Sequence, residues 1–153
     1  MEGELEKFFT YDLNIALFNL QQGSKAKWGT MTSNEMICHL IQSSEMMHFG
    51  NINLLIKEEN IKNAIAFLHS KKEIKKGLIV PNNIGYTFNK NHKKDITILK
   101  EELKICTLKM FTFLNENNNF ISIHPFFGEL TAYDWKIFQR KHYKHHLKQF
   151  DLI

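Results

Sequence analysis

TAYDWKIFQRKHYKHHLKQF, Thr131 to Phe150, reads as one amphipathic helix that changes character halfway along. Thr131 and Asp134 stand three apart, the spacing of a capping box: the threonine accepts at the helix start and the acid reaches back. The pattern predicts a helix from there to about Gln149. Trp135 and Phe138 begin its buried stripe, which continues at Lys141 or His142, at His145 or His146, and at Gln149. Residues four apart share a face, so His142 and His146 stack on one side while His145 is rotated from His146 by about 100°. A stripe that passes from Trp and Phe into imidazole calls for a partner, because burying unpartnered neutral imidazoles costs several kcal/mol. An H-x3-H pair on a helix can give two nitrogens to one metal ion.

A third nitrogen must come from another helix. TSNE, Thr32 to Glu35, is a second capping box, and the helix it starts is predicted to run to about His48, before Gly50. His39 lies near the middle of that helix. The other histidines fit less well: His48 is at a helix end, His69 and His92 fall in weakly patterned sequence, and His124 precedes Pro125 in an expected loop. The candidate metal ligands are therefore His39, His142 and His146. Two neighbours stand one turn away. Gln149, three residues after His146, is placed to orient that ring or a bound water. Glu35 precedes His39 by one turn, although its capping role is the simpler explanation.

Two further long helices complete the pattern. Glu2 to about Gln21 carries Leu5, Phe8, Phe9, Ile15, Ala16, Phe18 and Leu20 at mixed three-and-four spacing, with a stop near Gly23. From near Asp95 to about Asn115, the positions Ile96, Leu99, Leu103, Cys106, Met110, Phe113 and Leu114 form a 3.6-residue stripe, which NENNN (Asn115 to Asn119) breaks. Between the second and third long helices lie about 45 residues of weaker pattern. There Asn60 to Ser70 suits a short helix, and Pro81 makes Leu78 to Asn83 extended or turning. Four long helices with one long crossover between the second and third describe an all-α four-helix bundle, with residues 1–153 as a single domain.

Two segments resemble a known group. HPFFGELTAYDWKIFQRKHYKHHLKQF, His124 to Phe150, and WGTMTSNEMICHL, Trp28 to Leu40, resemble DinB-like metal-binding bundle proteins, most closely a branch described only as a domain of unknown function. Together they cover about a quarter of the chain, and Gly50 to Lys94 shows no such likeness. The resemblance implies that a histidine on the second helix joins an H-x3-H pair on the fourth, which here gives His39, His142 and His146; the trailing H-x-x-Q, His146 and Gln149, also fits. It further implies, for some members, thiol-dependent S-transferases or isomerases. Trp28 and the loop His124 to Gly128 are expected to be structural, pinning helix entries.

Composition bounds the function. The chain has 153 residues, 43% hydrophobic and 24% charged, as in an ordinary globular protein. Its net charge of +4 is carried almost entirely by lysine, with Arg140 the one arginine. Readers of phosphate and base edges lean on arginine's planar fork, and the run Lys71 to Gly77 has no aromatic for stacking, so specific nucleic-acid binding is not expected. Cys38 and Cys106 form no CxxC motif and read as reduced, mostly buried thiols. The acidic N-terminus is unlike a signal or transit peptide, and no apolar run approaches a membrane span, so the expected location is the cytoplasm. Three neutral histidines leave open positions on a metal, as catalytic zinc sites do. Imidazole suits zinc, nickel, iron or copper, and the sequence does not choose among them; zinc or nickel is the expected ion, with iron and manganese as alternatives. The expected partners are a small-molecule substrate or a low-molecular-weight thiol as co-substrate, and a homodimer is allowed. The function classes left standing are a thiol-dependent transferase or isomerase, a metal-dependent hydrolase, and a non-catalytic metal-binding or structural bundle.

Overall fold

The computed structural model describes residues 2–50, 52–78 and 93–153. The chain starts with α1 (Glu2–Lys7), which runs through a π-helical turn (Phe8–Asp12) into α2 (Leu13–Phe18). It continues with α3 (Ser33–Glu45), closed by a 3-10 turn (Met46–His48), and then α4 (Glu58–His69) and α5 (Ile96–Glu116). Two strands, β1 (Ile121–His124) and β2 (Gly128–Thr131), lead into α6 (Ala132–Gln149).

Local chemistry sets these boundaries. The Thr32 side chain accepts from the Glu35 N–H at 3.2 Å and the Glu35 carboxylate accepts from the Thr32 N–H at 2.7 Å. Thr131 and Asp134 repeat the reciprocal pair at the start of α6, at 3.2 and 3.1 Å. The Asp95 carboxylate accepts from the Thr97 N–H at 2.7 Å and opens α5. Each such cap contributes roughly 1 kcal/mol by satisfying donors that the first helical turn leaves without partners. Leu78 is described but the rest of the Leu78 to Asn83 stretch, like His92, lies outside the described residues.

The fold departs from the all-α expectation in its small sheet. β1 and β2 pair antiparallel, Ile121 with Thr131 and His124 with Gly128. The signal was local: β-branched residues alternate in Ile121-Ser122-Ile123, a strand habit, and Gly128 takes φ +75°, which L side chains rarely adopt. Gly128 also backs onto Ile61 of α4, where an added Cβ would meet a methyl carbon at 3.2 Å. The first helix departs as well. It ends at Phe18 rather than near Gln21, and its π-helical turn holds one extra residue. One residue rotates everything after it by about 100°. Leu13, Ala16, Leu17 and Leu20 face the core, while Ile15 and Phe18, expected in the stripe, are 52% and 83% exposed.

The core lies between α3, α5 and α6, with α1 and α2 laid across it. Phe8 and Phe9 meet Tyr143 edge-on, and Phe9 meets Phe111. The buried Tyr143 hydroxyl joins Ser44 of α3 to Thr107 of α5, at 2.7 and 2.8 Å, so three helices share one satisfied polar node. In α5 the stripe is buried at Ile96, Leu99, Leu103, Met110 and Leu114, with Cys106 and Phe113 partly covered. Among the described residues no helix is long and apolar enough to cross a membrane.

Candidate metal centre

Helix α6 presents four residues along one line: Gln139, His142, His146 and Gln149. Helix α3 faces it with His39 and Ser43, one turn apart. The pairing brings His39, His142 and His146 together, each offering a ring nitrogen within 4.8 Å of the others. His39 Nε2 lies 2.9 Å from His142 Nε2, and His146 Nε2 lies 3.1 Å from His142 Nε2. The rings stand nearly edge to face, with centroids 4.7 to 4.8 Å apart, so the nitrogens converge rather than stack.

The surrounding amides assign the tautomers. Gln149 donates from Nε2 to the Trp28 carbonyl at 2.9 Å, which turns its Oε1 toward His146 Nδ1 at 2.8 Å. An amide oxygen only accepts, so His146 carries its proton on Nδ1. On the other side, Gln139 donates from Nε2 to the Ser43 carbonyl at 2.7 Å, which turns its Oε1 to the Ser43 hydroxyl at 3.4 Å. The hydroxyl donates there and accepts from His142 Nδ1 at 3.0 Å. Neutral His142 and neutral His146 therefore both have bare Nε2 lone pairs, and these face each other at 3.1 Å. Two bare lone pairs at that distance repel unless a cation lies against them. A tetrahedral ion about 2.0–2.1 Å from each imidazole nitrogen holds its ligand nitrogens about 3.3 Å apart. The donor set fits a divalent metal that favours imidazole.

Burial keeps the set neutral. It lowers His39 to about 4, helped by His145, and lowers His146 to about 3, helped by His39. Burial, followed by charge repulsion from His146 and His39, holds His142 well below its ordinary value. At neutral pH no proton competes for these lone pairs.

The remaining candidates separate. Gln149 orients His146, and the chain reaches it by a close approach: Gly29, at φ +76°, would place a Cβ 3.1 Å from the Gln149 Nε2. Glu35 caps α3 and stands on the wall of the adjoining cavity, outside the three-histidine group. His145 turns away, its ring edge-on to Trp28 and its N–H given to the Ile74 carbonyl. His48 packs on Phe113, and His69 pairs with Asp134 at 2.7 Å.

Three residues escaped the sequence reading. Ser43 and Gln139 complete the tautomer relay; the signal was Gln139 three residues before His142, the mirror image of Gln149 three residues after His146. The third is His124, expected in a loop and unfavourably placed. It ends β1, is 2% exposed, packs on Phe138 at 4.3 Å, and lines the same cavity as the three histidines. The Phe126 N–H donates to its Nδ1 at 3.1 Å, so neutral His124 carries its proton on Nε2. Burial lowers it to about 3. The loop His124 to Gly128, expected only to pin a helix, supplies cavity wall through Pro125, Phe126 and Phe127.

That cavity measures about 620 Å³ and opens beside the His39, His142 and His146 rings. Comparison of the chain with family models, curated proteins and solved structures gives no match.

Proposed function

We propose that the chain is a cytoplasmic, divalent-metal-binding four-helix bundle of the DinB-like kind, with a crossover between its second and third long helices. We read it as a metal-dependent transferase or isomerase that uses a low-molecular-weight thiol. The observation that carries the metal reading is the convergence of three ring nitrogens, with His142 Nε2 at 3.1 Å from His146 Nε2 and 2.9 Å from His39 Nε2. The adjoining cavity supports the enzyme reading, because a closed structural site has no need of 620 Å³ of space at its side.

A bound divalent ion supplies Lewis acidity, which lowers the pKa of a coordinated thiol or water toward neutrality. The protein's own part is orientation and shielding. Gln149 and the Ser43–Gln139 relay keep the His146 and His142 protons on Nδ1, so that Nε2 stays a donor to metal. Phe126, Phe127 and Phe138 line the cavity with apolar surface. His124, held neutral by burial, adds its imidazole ring to the wall.

Cobalt substitution tests the reading. Titrating the cobalt-loaded protein with a small thiol such as 2-mercaptoethanol is expected to add a sulfur-to-cobalt charge-transfer band, absent in His146→Ala. A spectrum that neither thiols nor anions disturb would leave a metal-binding bundle without turnover.

A further inference from the structure

The walls of the cavity say more about the ligand than the metal centre does. They are formed largely by Met31, Met46, Phe67, Ile74, Phe126 and Phe127, drawn from α3's flanks, α4, the segment after α4 and the hairpin turn. The polar groups on those walls are mostly committed elsewhere. Glu35 caps α3, Glu73 is paired with Lys148, Ser43 is held between His142 and Gln139, and His145 donates to Ile74. Thr30, Gln42 and Lys75 stand on the same walls, and the three-histidine centre is the one cluster there, among the described residues, that could hold a metal ion. One pole that ligates and a surround of aromatic and aliphatic side chains match a ligand of the same division.

The wall is also held in place. Lys141, His145 and Lys148 succeed one another at four- and three-residue steps on α6, and each grips the segment after α4. Lys141 donates to the Ser70 and Lys72 carbonyls, His145 to the Ile74 carbonyl, and Lys148 pairs with Glu73. Lys76 closes the line over the Trp28 ring at 4.3 Å. Ile74 thus reaches the cavity from a segment without regular secondary structure that is tied at several points, so the apolar surface exists before any ligand arrives.

Resting on the metal reading above, we infer that the site takes an amphiphilic small molecule. Its metal-binding head sits at His39, His142 and His146, and its apolar body, an aryl ring or a chain of several methylenes, lies along Phe67, Ile74 and Phe126. Small hydrophilic substrates leave most of that surface wet and gain little from it.

Calorimetric titration of the zinc-loaded protein with a hydroxamate series separates the two claims. Acetohydroxamate reports the metal alone; butano-, hexano- and 4-phenylbutanohydroxamate add apolar body to the same head. Affinity is expected to rise about fourfold for each buried methylene until the cavity is filled. Phe126→Ser and Ile74→Ser are each expected to keep the acetohydroxamate affinity and to flatten the rise. Ile74 is the safer variant for folding, since it lies outside helix and sheet. Equal affinities along the series, with acetohydroxamate bound, would overturn the amphiphile and leave the metal centre standing. Absence of both zinc uptake and acetohydroxamate binding would overturn the metal reading, and the amphiphile with it.

Discussion

At the scale of single residues, the centre depends on protons being kept where they belong. The Gln149 side chain donates to the Trp28 carbonyl and accepts from His146 Nδ1. Gln149→Leu keeps similar volume but releases the tautomer, and metal affinity is expected to fall by about 10- to 100-fold; a chelator competition measures it, and an unchanged Kd would remove Gln149 from the site. His146→Ala should lose metal outright, whereas His145→Ala, whose ring serves Trp28 and Ile74, should retain it. His124 makes a separate prediction. Its folded pKa is about 3, below the ordinary histidine value, so between roughly pH 3 and 6.5 the unfolded chain binds more protons. The stability from its neutral form is complete above about pH 6.5 and is lost as pH falls through that window. In metal-free protein, His124→Asn, which retains an acceptor for the Phe126 N–H, should flatten the fall by up to about 1.4 kcal/mol per pH unit. Denaturant titrations at pH 4.5, 5.5 and 6.5 compare the slopes, and identical slopes would contradict a buried neutral His124.

At the scale of elements, α6 serves three neighbours with three of its faces. Trp135, Tyr143 and Leu147 enter the core, His142 and His146 meet α3, and Lys141, His145 and Lys148 hold the segment after α4. Its C-terminal end is fixed by the loop before α3, where the Lys27 N–H donates to the Gln149 carbonyl at 2.7 Å. Gly29 in that loop touches no ligand, yet Gly29→Ala should weaken metal binding: the new Cβ meets Gln149 and the residue must hold a positive φ. The same chelator competition reads it, and wild-type affinity with normal folding would show that the loop does not govern Gln149. Helix α6 was legible in the sequence because its cap and its period agree. The first helix was legible as a helix but not in its facing, because a π-helical turn leaves the apolar composition untouched while rotating every later residue of the helix. Ile15 shows the result.

At the scale of the molecule, sequence revealed the helices and the nearness of three histidines far better than it revealed their surroundings. Caps and stripes are local and survive without tertiary context. The hairpin's apolar Ile121 and Ile123 point outward, 57% and 45% exposed, so their pattern mimics a loop more than a core strand. The cavity gathers residues from α3, α4, the hairpin and α6, a convergence that no short window contains. A metal held by His39 on one side and His142 and His146 on the other would join α3 to α6, so it should bind the folded state alone. At a hundredfold excess over Kd that linkage is worth about 2.7 kcal/mol, and chelation should lower the Tm reversibly. The central claim is most directly met by counting metal: equilibrium dialysis of purified chain against zinc, with bound ion measured by mass spectrometry. One ion per chain, lost in His142→Ala and in His146→Ala but kept in His145→Ala, is the predicted result; well under one equivalent in wild type, or one equivalent retained in His142→Ala and His146→Ala, would contradict it.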